Sequence, residues 1–143
     1  RSVILREEAQ GSRPVRTVFR PLAAGEKFSL LEAELVTGKS HQLRAQLSFL
    51  GHPILGDVKY GDPERNRYGK ERYGVRSQLL HAWKMVFPKL SGPLSGLSEK
   101  TVSAPPPAVF LRTAQGEGLL DGGQIRRALY GDLGKQRAQG LHP

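Results

Sequence analysis

Cysteine is missing from all 143 residues. That absence excludes disulfides, a thiol nucleophile, iron–sulfur clusters and every cysteine-based zinc site. No apolar run reaches the roughly 18 residues that a bilayer-spanning helix needs, so membrane roles drop out. The chain has no Walker phosphate loop, no Gly-rich dinucleotide fingerprint, no H-E-x-x-H and no G-x-S-x-G, which removes the common nucleotide, zinc-protease and serine-hydrolase classes. His41 and His52 stand on either side of an expected helix end, a separation that matches no standard ligand spacing; no metal site is expected. Residues Arg1 to Glu8 form neither a signal peptide nor a transit segment, because Val3 to Leu5 is too short an apolar stretch and acidic residues follow at once. A reducing, cytoplasmic setting fits.

What is present is positive charge and turn residues. Lys and Arg number 22 against 13 Asp and Glu, a formal net charge of +9, which makes a polyanion a natural partner. Apolar residues are 38% of the chain, with Gly 17 and Pro 10; this composition predicts one domain with a modest core and many turns.

Val15 to Arg20 (V-R-T-V-F-R) reads as a strand, and Pro21 to Lys27 as a loop. Phe28 to Val36 reads as a half-buried strand with Leu31, Ala33 and Leu35 opposite Glu32 and Glu34, antiparallel to the first. After the Thr37-Gly38 turn, Ser40 is placed to cap a helix running to Leu50 and stopping at Gly51, with Pro53 beyond. Leu43, Leu47 and Leu50 would form its buried stripe, leaving His41, Arg44 and Ser48 on a polar side. His52 to Gly61 reads as a structured loop. Asp62 to Arg76, where Arg65, Arg67, Lys70, Arg72 and Arg76 interleave with Tyr68 and Tyr73, is a candidate mobile or RNA-facing insertion, or else a solvated connector. Leu79 to Phe87 reads as a strand, Pro88 to Ser98 as a turn-rich hairpin and Lys100 to Ala104 as the returning strand; Pro105 to Pro107 forbid its continuation. Ala108 to Ala114 is a helical piece. From Gln115 the tail offers only Ile125 to Tyr130 as a helical turn, with Gly131 to Pro143 a disordered or peripheral arm. The fold class is α+β, with a mostly antiparallel or mixed sheet and packed helices; residues 1–114 form the folded unit and 115–143 a flexible tail or arm.

The chemistry concentrates between Leu35 and Gly61. Lys39, His41 and Arg44 gather near a helix N-terminus, where amides and basic side chains together can hold a phosphate or carboxylate, although an arginine there can equally be a plain surface residue. The stretch Thr37 to Gly61 (T-G-K-S-H-Q-L-R, then G-H-P-I-L-G-D and Y-G) closely resembles the T-G-R-[ST]-H-Q-[IL]-R-V-H, G-H-P-I-x-G-D and Y-G signature of the RNA pseudouridine synthases that modify ribosomal and transfer RNA. Ser77 to Ala82 (S-Q-L-L-H-A) resembles the family's later L-L-H-A strand, and Leu97 to Pro107 the segment ending in its A-x-L-P-like sequence. The resemblance runs from about Val15 to Leu111.

The resemblance implies isomerisation of uridine to pseudouridine with no cofactor and no metal, by one aspartate in an H-R-L-D-x-x-T-S-G motif. That motif does not occur in these residues. The chain is therefore expected to be the second half of a catalytic domain, with the nucleophile upstream, the first half of the same domain as partner, and ribosomal RNA as the foremost RNA partner. The isolated chain is expected to be inactive. Arg44 matches the family arginine that pairs with the catalytic aspartate and borders the target nucleotide, with His41 and Lys39 as supporting groups. Lys39 stands where arginine is common and Gln46 where histidine is usual. The RNA-binding candidates are Lys39, Arg44, Lys59, Tyr60, Arg65, Arg67, Lys70 and Arg72. Gly38, Gly51, His52, Pro53, Gly56, Asp57, Gly61 and His81 are expected to be structural, with Asp57 a turn residue rather than the nucleophile, His81 a hydrogen-bonded structural histidine and Trp83 a core residue. Two further readings remain: a non-catalytic basic RNA-binding module on the same scaffold, and a basic ribosomal structural protein held by charge alone.

Overall fold

A computed structural model describes residues 3–7, 15–35 and 41–120. The strands β1 (Val3–Glu7), β2 (Val15–Ala24) and β3 (Ser29–Leu35) form one antiparallel sheet in that order. Helix α1 (Gln42–Phe49) and helix α2 (Pro63–Tyr73) follow, then the two-stranded antiparallel ribbon of β4 (Lys84–Val86) and β5 (Thr101–Ser103), and helix α3 (Ala108–Gly116). The architecture is α+β, with antiparallel sheets and packed helices. Among the described residues no helix is long and apolar enough to cross a membrane.

The β2 strand runs past the expected loop boundary. Its register with β3 shifts between Pro21 and Ala23, a bulge that absorbs the proline and lets pairing continue to Ala24. Pairing with β1 reaches only Phe19, so Pro21 lies where β2 needs no amide for a second neighbour. Cross-strand partners share a face, which puts Thr17, Phe19, Leu31, Ala33 and Leu35 on one side and Val18, Arg20, Glu32 and Glu34 on the other. The division of β3 into two faces is as read from the sequence; the burial is not. Leu31 and Leu35 are 36% and 49% exposed, whereas Leu30 is buried. Leu30 meets Ala114 of α3 and Leu119 in the core cluster, with Leu22, Ala23, Phe28, Phe110 and Leu120 around them. A core closed at the end of a hairpin buries the residue next to the turn rather than the alternating stripe. The expected tail thus begins inside the packed body, at least through Leu120; Ile125 to Tyr130 and Gly131 to Pro143 lie outside the described residues.

The segment read as an insertion or connector is helix α2. Asp62 caps it, accepting from the amides of Glu64 (2.8 Å) and Arg65 (3.1 Å). Pro63 occupies the first turn, Lys70 and Arg72 the last, and Gly74 stops the helix in the left-handed conformation at φ 75°. Each of these is a helix-end signal that charge-rich composition obscured. One face of α2 carries Gly69 and Tyr73 inward, and the Tyr68 and Tyr73 hydroxyls both donate to Glu117 Oε1, at 2.7 and 2.9 Å. Arg112 of α3 donates to the Tyr73 carbonyl at 3.2 and 2.9 Å.

The expected strand Leu79 to Phe87 shortens to Lys84–Val86. The preceding residues spend their polar groups elsewhere: the Leu79 amide on Leu55 O (2.8 Å), the His81 ring on Ala104 O (3.1 Å). The returning strand is close to expectation at Thr101–Ser103.

The bond to Glu117 holds the Tyr68 phenol up at about 12, so the protonated form favours the fold. Its contribution is complete below the ordinary tyrosine value of about 10 and is lost as pH rises through about 12. Replacing Tyr68 with Phe keeps the ring and deletes the bond. The expected outcome is a melting temperature a few degrees lower at pH 8 and a smaller further loss between about pH 10 and 12 than in the wild type. Thermal unfolding across that range checks it; an unchanged alkaline slope places the titration elsewhere.

Candidate functional site

Helix α1 begins without a serine cap. His41 occupies the N-cap at φ 56°, ψ 18°, with no side-chain capping bond. A left-handed conformation is uncommon for a residue with a Cβ. Gly38, Lys39 and Ser40, together with Thr37, lie outside the described residues. The buried stripe also differs from Leu43, Leu47 and Leu50: the inward residues are Gln42, Leu43 and Gln46, while Leu47 is half-buried and Leu50 is 43% exposed. The reason is polar. Thr17 of β2 is fully buried; its hydroxyl accepts from Gln42 Nε2 at 2.8 Å and donates to Gln46 Oε1 at 2.7 Å. This chain of hydrogen bonds sets the rotation of α1 against the sheet, since a buried hydroxyl left unpaired is costly. Gln46 Nε2 is buried with no acceptor among the described residues.

That rotation carries Arg44 toward the loop at 51–61. Arg44 Nε donates to Asp57 Oδ2 at 2.7 Å and Nη2 to Asp57 Oδ1 at 2.9 Å. The Asp57 side chain has no exposed surface, and that of Arg44 is 13% exposed. The amides of Lys59 (3.0 Å) and Tyr60 (2.9 Å) also donate to Asp57 Oδ1, while the Asp57 carbonyl accepts from the Gly61 amide and from Asn66 Nδ2, both at 2.9 Å. Asn66 Oδ1 in turn accepts from the Gly56 amide at 2.7 Å. Gly56 sits at φ 86°, and a Cβ there would run into the Ser77 carbonyl. The H-P-I-L-G-D-V-K-Y-G loop is thus wound around one carboxylate, tied to α1 by Arg44 and to α2 by Asn66.

The Arg44 guanidinium lies 5.3 Å from the centre of the Tyr60 ring, with Lys59 Nζ at 5.1 Å. His41 meets the same ring edge-on at 5.9 Å, its Nδ1 3.5 Å from the Tyr60 hydroxyl. Ser48 Oγ donates to the Tyr60 carbonyl at 2.9 Å. His41, Arg44, Lys59 and Tyr60 therefore form one basic, aromatic surface over Asp57. Gly51 and His52 are exposed and Pro53 half-buried, and the His52 amide donates to the Leu47 carbonyl at 2.8 Å where α1 ends.

Arg65, Arg67, Lys70 and Arg72 are all exposed on α2, Arg65 and Arg72 on one side of the helix and Arg67 and Lys70 on the other. Arg65 stacks toward Phe28 at 5.7 Å, and Arg72 toward Tyr68 at 5.9 Å and Tyr73 at 5.8 Å. No group of three or more metal-ligating side chains occurs among the described residues. Sequence reasoning missed Thr17, Asn66 and the Asp57 partner of Arg44; a spacing of 13 residues across a helix end and a loop carries no periodic signal.

The family whose model matches is described as RNA pseudouridylate synthase, and the match spans residues 1–49. The tRNA pseudouridine synthase C of Salmonella typhi is 36% identical over 100 residues, covering 62% of this chain and 37% of that protein. An uncharacterized RNA pseudouridine synthase of Chloroflexus aurantiacus is 42% identical over 106 residues, covering 72% of this chain and 30% of that protein. The tRNA pseudouridine synthase C of Vibrio cholerae is 36% identical over 89 residues, covering 57% of this chain and 36% of that protein. The match is thus at family level, to RNA pseudouridine synthases, and the chain spans about a third of the length of these relatives.

Arg44 holds the Asp57 carboxyl down at about 2, against the opposing effect of burial and with the help of the Tyr60 and Lys59 amides. A folded-state value below the unfolded carboxylate's roughly 3.9 means that the ionised form favours the fold, so its contribution is complete above about pH 4 to 5 and is lost as pH falls toward 2. Thermal unfolding between pH 7 and pH 2 is expected to show this loss, and an Asp57→Asn variant a lower starting stability with a shallower acid decline. Gly56→Ala is expected to cost at least ~2 kcal/mol, since it adds both strain at positive φ and a backbone clash; denaturant unfolding measures it.

Proposed function

We propose that this chain forms part of the catalytic domain of an RNA pseudouridine synthase, and that the polypeptide containing it isomerises uridine to pseudouridine in structured RNA. The observation that carries the reading is the Arg44–Asp57 pair beneath the His41–Tyr60 surface, together with the family-level match. The Arg44 guanidinium is a fixed cation at the edge of a basic, aromatic surface, the kind of group that keeps a reacting carboxylate ionised and in one orientation.

In this reading the target uridine leaves the helical stack, and its exposed Watson–Crick edge is read by hydrogen bonds. An aspartate from an H-R-L-D-x-x-T-S-G segment outside these residues assists cleavage of the bond between N1 and the sugar; the base rotates, C5 bonds to the same sugar carbon, and the proton lost from C5 is balanced by one gained at N1. The chain's own residues supply position and charge. Lys59 and Tyr60 border the reacting nucleotide, and the exposed cations Arg65, Arg67, Lys70 and Arg72 of α2 offer further contacts for flanking phosphates. The names of the Salmonella and Vibrio relatives point to transfer RNA, ahead of the ribosomal RNA expected from the sequence.

The complete polypeptide is expected to form pseudouridine in a transfer RNA transcript with EDTA present and no added cofactor, and residues 1–143 alone to form none. Isomerisation by residues 1–143 alone would overturn the external nucleophile. RNA binding by a complete polypeptide that never isomerises would leave the non-catalytic RNA-binding module. Arg44→Ala in the complete polypeptide is expected to lower the single-turnover rate by about 10² or more, as for loss of a preorganised electrostatic contact, with a much smaller change in RNA affinity. A wild-type rate with weaker, less salt-sensitive binding would make Arg44 a phosphate contact instead.

A further inference from the structure

Asp57 does more than close a turn. An asparagine would close the same turn, because its side-chain oxygen accepts from the Lys59 and Tyr60 amides as a carboxylate oxygen does. What asparagine lacks is the second acceptor, and that is Oδ2, whose hydrogen bond comes from Arg44 Nε at 2.7 Å. Burying a carboxylate is expensive unless it is paired, and this one is fully buried. The position therefore uses the carboxylate for Arg44.

The geometry of the pair determines what remains of the guanidinium. Of its five N–H donors, Asp57 takes one on Nε and one on Nη2. The other hydrogen of Nη2 and the two on Nη1 have no acceptor among the described residues. The Nη1–Nη2 edge is a second fork, matched to a second carboxylate. Three contacts stop the guanidinium from turning away: Asp57 on one edge, the Tyr60 ring at 5.3 Å, and the loop bonds that immobilise Asp57 itself.

We infer that Asp57 is the positioning residue of the active site: it grips Arg44 side-on so that the adjacent Nη1–Nη2 edge of the guanidinium is presented, already oriented, to the reacting carboxylate. This rests on the function proposed above. One guanidinium bridges two carboxylates, the buried one setting direction and the reacting one receiving it. The two roles of Asp57 separate by sign. Removing its charge leaves Arg44 a less neutralised cation, which strengthens attraction for RNA, while loss of orientation slows the reaction. A purely structural Asp57 would change stability and leave the rate per folded molecule untouched.

The test uses the complete polypeptide with Asp57→Asn, Arg44→Met and the double variant, measuring single-turnover pseudouridine formation at saturating enzyme, RNA affinity and thermal unfolding. Asp57→Asn is expected to react about 10-fold or more slowly with equal or tighter RNA binding. In the Arg44→Met background the same change is expected to slow the reaction by less than about threefold, because a residue that acts through Arg44 has nothing left to act on. If Asp57→Asn does not fold, the double variant against Arg44→Met decides alone, since removing both members of a buried pair is milder than removing one. A wild-type rate in Asp57→Asn, or a double variant about 10-fold or more below Arg44→Met, overturns the positioning role. Both outcomes are read against an active wild type; an inactive wild type overturns the proposed function itself.

Discussion

A carboxylate with no exposed surface must be charged and fully bonded or else neutral, and Asp57 is held in the first state by four donors: two from Arg44 and one each from the Lys59 and Tyr60 amides. Those donors come from one helix and one loop, so the ion pair fixes their relative placement. The loop glycine at 56 takes a positive φ against the Ser77 carbonyl, and Asn66 carries the constraint on into α2. Take away the pair and the surface of His41, Lys59 and Tyr60 loses the floor it stands on.

A second polar arrangement decides how α1 meets the sheet. In place of a leucine stripe, Gln42 and Gln46 close on the buried Thr17 hydroxyl. Hydrogen bonds specify rotation more narrowly than apolar contact does, and a helix of only eight residues has little apolar area with which to do so. The rotation that buries Gln42 and Gln46 is the one that delivers Arg44 to Asp57. The fold here is organised by buried polar groups as much as by its modest core of Leu30, Ala114 and Leu119.

At the other end of the chain the same economy appears. Glu117 receives two tyrosine hydroxyls from α2, so a strongly basic helix is docked through an acid that follows α3. Its cations stay exposed, and two of them, Arg65 and Arg72, lie over Phe28 and the tyrosine rings, where flat apolar faces and positive charge are side by side.

Much of this was legible in the residues alone. The β2–β3 pairing, the end of α1 near Gly51, the β4–β5 ribbon and α3 all follow from periodicity and turn residues, and the T-G-K-S-H-Q-L-R and G-H-P-I-L-G-D words pointed to the same family as the family-level match. Helix α2 was legible too, from Asp62, Pro63 and Gly74, but its charge read as a connector. What the residues could not show is contact across sequence distance. Nothing in spacing says that Leu30 rather than Leu31 is buried, because that depends on where α3 closes the hairpin. Nor does spacing join Arg44 to Asp57. A turn aspartate and a helix arginine become one unit only when the Thr17 bonds have set the helix and the loop has curled beneath it. Local pattern determined which elements form and what chemistry they carry; tertiary structure decided which charges meet, because ion pairing depends on separation in space.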